Sequence, residues 1–446
     1  METRSADKLG PFVVLTFIYF IVGFLTTVNG QCQGPLKIAF LADAGALKNT
    51  FVTLISFFFF LGYLICSPFG GRWINRVGYK RTLLRSLGFM IAGLAMFWAS
   101  SWFTVTFPAA VVGIGAAHVP GGYFIFLTGS FLMGTAAALS QVVINPYISA
   151  YELPGTQSVQ RMNIVCAINS FGTMIAPFFV TTLIFGGRAI EEVEVRQLMT
   201  PFLILAVFVV ITTLTTMRMY IPDLSNTRAA EGERLERSIW SFRHFTLGVV
   251  AIFFYVGAEV AVGSNINLHA LEMGGNGEAL SFFGRKRLMI GELDLGIPAM
   301  LATIYWGGMM VGRMISSTMN RISPRIQLTT VTLAAIVLMT VAVGSNNLWL
   351  IALLGFFQSV MWSCIFTLSV QGLEKYTAKA SGIFMMGVFG GAVFPVLQGI
   401  AADLFGTWRW TWLIVIFCEL VILFYALIGS RVRNSKESPG KRRPEI

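Results

Sequence analysis

The sequence predicts an all-α membrane protein of about twelve transmembrane helices arranged as two six-helix halves. Three observations carry that expectation. Only 12% of the 446 residues are charged against 55% hydrophobic, about half the charge a soluble domain needs to keep its surface solvated. The apolar residues come in runs of about 20, enough to cross a hydrocarbon core ~30 Å thick. The basic residues fall on alternate connections between those runs, as they do in multi-spanning proteins.

Taken in order, the runs place spans at about 11–32, 49–70, 83–101, 121–150, 160–186 and 198–221, then at about 245–270, 296–319, 326–345, 347–372, 380–404 and 409–430. The run beginning at Pro11 exceeds a signal-peptide core and shows no small-residue cleavage site, so it reads as a retained first helix. Residues 1–221 form the N-terminal half, 222–244 a cytoplasmic linker, 245–430 the C-terminal half, and 431–446 a basic cytoplasmic tail holding Lys441, Arg442 and Arg443. If the N-terminus, the loops leading from even to odd spans and the tail share one side, that side carries roughly 24 of the 32 Lys and Arg. Both termini are therefore expected in the cytoplasm, in a multi-pass monomer of the cell's inner (plasma) membrane.

The charge and cysteine patterns exclude several functions. The net charge of +11 sits in short connections, where it sets topology, and not in a face that would hold nucleic acid. Cys32, Cys66, Cys166, Cys364 and Cys418 are dispersed through apolar stretches without metal-ligand or disulfide spacing. With three His and no nucleophile–base constellation, neither an enzyme, a metal site nor a cofactor is expected.

Two connections on the outer side stand out. The segment 102–120 has no charged residue, which suits a short re-entrant or surface piece, and 273–295 reads as a polar, solvated insertion with Arg285, Lys286 and Arg287. There is also an internal echo. Asn75-Arg76-Val77-Gly78-Tyr79-Lys80 follows span 2, and Asn320-Arg321-Ile322-Ser323-Pro324-Arg325 follows span 8. Each is Asn-Arg with a second base four positions after the Arg, at the matching place in each half, which favours duplication.

The stretch from Gly71 through Trp73, Asn75, Arg76, Gly78 and Lys80 to Arg81 resembles the signature loop between helices 2 and 3 of the major facilitator superfamily. The family's acid is Asn75 here, so a charge interaction becomes a hydrogen bond. The glycines permit a tight turn and the bases anchor the cytoplasmic face. A narrower resemblance follows. Gln141-Val142-Val143-Ile144-Asn145-Pro146-Tyr147, Arg161-Met162-Asn163, Asn169-Ser170-Phe171-Gly172, Tyr255-Val256-Gly257-Ala258-Glu259, the run from Trp306 to Arg313, and a run from Ile365 to Gly399 are together similar to the fucose–galactose–glucose:proton symporter family. That resemblance implies a sugar permease working by alternating access, usually driven by protons. It also implies that Gly71, Asn75, Arg76, Gly78, Lys80, Arg81 and Arg313 belong to the cytoplasmic gate and its motifs. The chain departs from the family where fucose permeases carry acids, near Gly30 and Gln31 and at Gln141. A uniporter, or a carrier of amino sugars or disaccharides lacking the usual proton site, therefore stays open beside the symporter. A non-transporting sugar sensor stays open as well.

A sugar offers hydroxyls and apolar faces, so its site needs neutral amides and aromatic platforms. Such groups are costly in lipid and should face the interior. Gln141 and Asn145 share one face of span 4; Asn29 and Gln33 share one face of span 1, beside Gln31; Asn163 and Asn169 lie on span 5. Trp306 and Trp362 lie inside spans 8 and 10, where stacking on a sugar competes with core packing. Each amide has the competing role of gluing helices together. For Asn145 there is a further alternative: Pro146 frees a backbone carbonyl that the Asn145 side chain could satisfy. Glu259, within span 7, is the candidate proton carrier, with a structural acid bonded to helix ends or to nearby Asn265 as the alternative. Glu419 reads as a packing acid, and Trp408, Trp410 and Trp412 as interfacial anchors.

Overall fold

A computed structural model describes residues 3–31, 40–41, 48–114, 117–179, 195–224, 237–275, 287–290, 293–319 and 321–432. Its described residues are overwhelmingly helical. In chain order, α1 is Thr3–Gln31, and Lys48–Thr106 is one helical segment broken at Gly78, whose arms we number α2 (48–77) and α3 (79–106). α4 is Gly121–Ala150, α5 Ser158–Phe179, α6 Met199–Arg218, α7 Arg243–Gly275, α8 Ile297–Thr318 and α9 Pro324–Ser345. The predicted spans 10 and 11 are each discontinuous. Span 10 is α10 (Leu348–Gln358) and α11 (Met361–Val370). Span 11 is α12 (Thr377–Phe384) and α13 (Gly390–Phe405), joined by a 3-10 turn over Met385–Phe389. The last helix is α14, Leu413–Phe424, which widens to a π turn at Tyr425–Gly429.

Among the described residues, nine helical segments are long and apolar enough to cross a membrane, with the 53 residues of Leu54–Thr106 counted as one. α5 and α8 are not among the nine; Asn163, Asn169 and Arg313 are among the polar residues that dilute them. The two outer connections each contain a short hairpin. The charge-free one folds as a hairpin of β1 (Val111–Ile114) and β2 (Ala117–Pro120), with Val112 opposite Val119. The polar one contains a second hairpin, β3 (Arg287–Ile290) and β4 (Leu293–Gly296), with Met289 opposite Asp294. Four-residue strands give too short an alternation to read against long apolar runs.

Local chemistry explains the boundaries. Gly78 sits at φ 81° and ψ 174°, a left-handed backbone that side chains resist, so the chain reverses there at no steric cost. A Cβ at this position would also approach Asp223 Oδ1 to 3.3 Å. Gly78→Ala is therefore expected to cost about 1–3 kcal/mol, read as a lower melting temperature in detergent. Gly88→Ala is the control, since its Cβ would meet open space. Equal melting of the two variants would contradict the strained turn. At α9, the Ser323 hydroxyl accepts from the Ile326 amide with Pro324 in the first turn, the usual chemistry of a helix start.

The sequence echo has a structural counterpart. Lys80 Nζ, at the start of α3, donates to the carbonyls of Met217 and Met219 (2.8 and 2.6 Å) at the end of α6. Arg325, at the start of α9, donates through Nε to the Ala426 carbonyl at 2.9 Å, and through Nη2 to Leu427, past the end of α14. In each case a base after the echoed Asn-Arg supplies donors to carbonyls that the helix end leaves without intrahelical partners. Arg76 and Arg81 are exposed.

Candidate functional site at the contact between α1–α6 and α7–α14

The break between α10 and α11 organises the polar interior. Ending α10 at Gln358 removes helical partners from the Gln358 and Ser359 carbonyls, which apolar surroundings would penalise. Two side chains take their place. Tyr255 OH (α7) donates to the Gln358 carbonyl at 3.3 Å, and Arg313 Nε (α8) to the Ser359 carbonyl at 2.9 Å. The Gln358 side chain extends the network. Its Oε1 accepts from Tyr305 OH at 2.6 Å and its Nε2 donates to Glu419 Oε1 (α14) at 2.8 Å. Glu419 thus packs against α10, as expected of it. Helices interrupted at depth are tolerated where they are buried in protein or line a cavity, and transporters place their sites at such points.

Glu259 lies beside this break. Its Oε1 accepts from Tyr255 OH at 3.1 Å and pairs with Arg313 Nη2 at 3.5 Å. Asn265 is not its partner, contrary to that part of the structural alternative: it donates to the Pro395 carbonyl and to Gln398 Oε1, tying α7 to α13. Arg313 is the partner that links Glu259 to α5. It lies more than a turn inside the end of α8, buried, and its fork joins α7, α8 and α5. Besides Glu259 and Ser359 it reaches α5, donating through Nη1 to Ser170 Oγ and, at 3.4 Å, to the Cys166 carbonyl.

Where α1–α6 meet α7–α14, the contacts are short and polar. Asn163 Nδ2 (α5) donates to Ser316 Oγ (α8) at 2.7 Å, and that hydroxyl donates to Gln327 Oε1 at 2.8 Å. Ser381 Oγ (α12) donates to the Val142 carbonyl (α4) at 3.0 Å. That carbonyl is the one Pro146 leaves without a helical donor four residues on. It is satisfied from across the contact and not by Asn145, whose Nδ2 instead approaches Met385 Sδ at 3.6 Å. Nearby, α2 and α12 touch almost backbone to backbone: a Cβ on Gly71 would lie 2.6 Å from the Ala378 carbonyl, and one on Gly382 would lie 2.8 Å from that of Ser67.

The predicted amides face inward: Asn29, Asn145 and Asn163 are at most 3% exposed. Their partners divide them. Asn29 accepts from Ser130 Oγ at 2.9 Å, Gln141 donates to Tyr63 OH at 2.7 Å, and Asn169 donates to the Tyr19 carbonyl at 2.7 Å. These three bond helices of α1–α6 to one another. Asn145 and Asn163 instead cross to the turn after α12 and to α8 respectively, and each has a buried Oδ1 with no partner among the described residues. Trp362 is buried, its Nε1 equally without a partner, and its ring stands edge-on to Phe384, the neighbour of Met385. Trp306 packs against Tyr305 and over Gly263. Gln33 and Cys32 lie outside the described residues, as does the side chain of Gln31. Trp412 corrects the reading as an interfacial anchor: it is fully buried, donating to His269 Nδ1 at 2.9 Å. Trp410, 48% exposed with Arg409 over its ring, fits that role. Sequence reasoning missed Tyr63, Tyr305, Gln358 and Ser381. The Gln358-Ser359 pair inside an apolar run was the available signal for the helix break.

Comparison with known proteins agrees with this architecture. The family model of the Major Facilitator Superfamily matches residues 19–394. A glucose/galactose transporter of Brucella abortus biovar 1 (strain 9-941) is 31% identical over 438 residues, covering 96% of this chain and 97% of the relative. An L-fucose-proton symporter of Escherichia coli (strain K12) is 24% identical, covering 97% and 96%. Among solved structures, the Major Facilitator Superfamily transporter FucP in the outward conformation superposes with a TM-score of 0.73 at 22% identity, covering 96% of this chain and all of that one. The proton:xylose symporter XylE superposes with a TM-score of 0.66 at 14% identity, covering 94% and 95%.

Proposed function

The chain belongs to the Major Facilitator Superfamily, and from that premise we propose that it carries a hexose or deoxyhexose across the inner membrane by alternating access, coupled to protons. The observation that carries the reading is a pair of unpaired buried polar atoms, Asn145 Oδ1 and Trp362 Nε1. They flank Phe384 and Met385 at the meeting of the two helix sets, in a chain whose relatives are named as sugar transporters over nearly their full length. An acceptor, a donor and an indole face are what a sugar hydroxyl pattern and its apolar face require. Tyr255, against the Trp362 ring, extends the aromatic wall.

Twelve crossings account for the helices. Leu54–Thr106 is 53 residues long, about 80 Å of helix and so two passages. α5 and α8, 22 residues each, are long enough to cross while lined on one side by protein. The halves are 1–221 and 245–430, both termini cytoplasmic, and the protein works as a monomer. The ends of α2, α4, α5, α8 and α12 that press together carry the basic loops. That end is cytoplasmic by the distribution of Lys and Arg, so the contact that is closed here is the cytoplasmic one.

Glu259 is the proton carrier in this reading. It stands in for the acids that this chain replaces by Gly30, Gln31 and Gln141. Those replacements are also the observation that favours a second reading, a uniporter that moves sugar with no proton. Proteoliposomes decide. Labelled D-glucose or D-galactose should enter and exchange in counterflow, and its addition should alkalinise the bath. Counterflow without alkalinisation identifies the uniporter, and binding without counterflow a sensor. The same sugars should raise the melting temperature of the purified protein, because a ligand selective for the native state stabilises it by mass action.

A further inference from the structure

The Glu259–Arg313 pair is loose at 3.5 Å, well beyond the 2.7–2.9 Å typical of charge-assisted hydrogen bonds. The looseness has a visible cause. The guanidinium of Arg313 is shared among three places: Nε goes to the Ser359 carbonyl, Nη1 to Ser170 and to the Cys166 carbonyl, and Nη2 to Glu259. Ser359 and Glu259 belong to the same helix set as Arg313. Ser170 and Cys166 belong to α5, on the other side of the contact that must open for the carrier to face the opposite way.

We propose that Arg313 is the positioning residue that ties proton release at Glu259 to the separation of α5 from α8. While the contact is closed, α5 occupies Nη1, the ion pair stays one-sided, and the Glu259 carboxyl can take up a proton. When the contact parts, Nη1 loses both α5 acceptors. Arg313 can then meet the carboxylate with two parallel N–H groups, the stronger geometry for this pair, and the proton leaves to the side newly open. The proton is bound and released at one oxygen acid, and no other group needs to change its charge.

The other groups around Glu259 leave Arg313 as the moving charge. Tyr255 on its own helix donates to it, and Tyr305 of α8 donates to its backbone carbonyl. Cys166 faces Arg313 and Glu259 from α5, and Tyr19 of α1 lies beside Cys166. Glu419 of α14 is reached only through Tyr305 and Gln358. Arg313 is the only cation in this group.

This inference rests on the proton-coupled sugar transport proposed above, and its test separates the two. Ser170→Ala removes the α5 hydroxyl and lets Arg313 turn to Glu259 while the contact is closed, so loading Glu259 should require more acid. In proteoliposomes, the pH of half-maximal proton-driven galactose uptake should move to lower pH by about half a unit or more, with counterflow retained. Ser170→Thr, which keeps the hydroxyl, should keep the wild-type profile. A Ser170→Ala profile that superposes on wild type overturns the inference, and so does an equal shift in Ser170→Thr. Wild-type counterflow without proton movement overturns it while leaving sugar transport standing. No galactose or glucose transport at all removes both. Melting temperatures of both variants identify any shift that is merely loss of fold.

Discussion

Replacing Glu259 by Gln is expected to abolish sugar-driven alkalinisation and to lower the stability of the protein, and replacing Arg313 by Gln is expected to do both as well. Each single change strands the other member of a pair whose Arg313 is buried and whose Glu259 is 15% exposed, which costs up to about 3–5 kcal/mol when the remaining charge finds no substitute. The double variant Glu259→Gln/Arg313→Gln should melt closer to wild type than either single variant, since it strands no charge, yet should remain unable to move protons. The coupling energy from this cycle belongs to contacting residues and should be well above the ~0.5 kcal/mol within which distant sites add. Melting of all four proteins in detergent, with proton flux in proteoliposomes, gives the answer. Additive melting shifts would show that the 3.5 Å contact carries no electrostatic weight, and alkalinisation surviving in Glu259→Gln would move the proton site elsewhere.

In the proposed reading, the same pair would let a permease of this kind dispense with acids in its first helices. A coupling carboxyl needs a cation close enough to favour its ionised form in one state, and a reason for that cation to be less available in the other. Arg313 supplies the first through Nη2 and the second through Nη1, because it is bonded across the contact that opens. Gln141, one of the positions where the family carries an acid, bonds to Tyr63 of α2 in its own half.

Membrane residence and the lengths of the helices were legible in the sequence because both follow from average polarity over some 20 residues, a property that no partner helix alters. The echo after spans 2 and 8 was legible for a similar reason: Lys80 and Arg325 act on helix ends close to the membrane face, where the base itself is the signal. The breaks in spans 10 and 11 were not. Gln358 and Ser359 read as two polar residues in an apolar run, and only the placing of Tyr255 and Arg313 against their carbonyls makes an interruption tolerable there. The division among the amides was hidden likewise. Asn29 and Asn145 look alike on their helices, but Asn29 meets Ser130 while Asn145 Oδ1 has no hydrogen-bond partner among the described residues, a difference made by neighbours distant in the chain. The carbonyl freed by Pro146 could be foreseen, but the hydroxyl of Ser381 that takes it, 239 residues away, could not.

Trp362→Phe and Asn145→Leu should weaken sugar binding while leaving the empty protein as stable as before or more so. An ordinary packing residue gives the opposite pattern: its loss lowers stability and touches function only through the fold. Here each side chain carries a buried atom with no hydrogen-bond partner among the described residues, Nε1 of Trp362 and Oδ1 of Asn145, and an unsatisfied buried polar group costs about 1–3 kcal/mol. Substitution by an apolar group of similar shape removes that cost in the empty state. It also removes the partner that a sugar hydroxyl would find, so apparent affinity for galactose or glucose should fall about tenfold or more per site, the equivalent of about 1.4 kcal/mol for each tenfold. Trp362→Phe keeps a ring to stack on and should lose less than Trp362→Ala, which also opens a cavity and should melt lower, by about 3–5 kcal/mol. The measurements are melting temperature without sugar and the concentration of half-maximal counterflow with it. If Trp362→Phe and Asn145→Leu both melt lower and bind sugar as wild type does, the two atoms are packing defects and the sugar lies elsewhere. If stability holds while affinity falls, the empty carrier keeps two polar atoms unpaired in its core, and the sugar is what completes them.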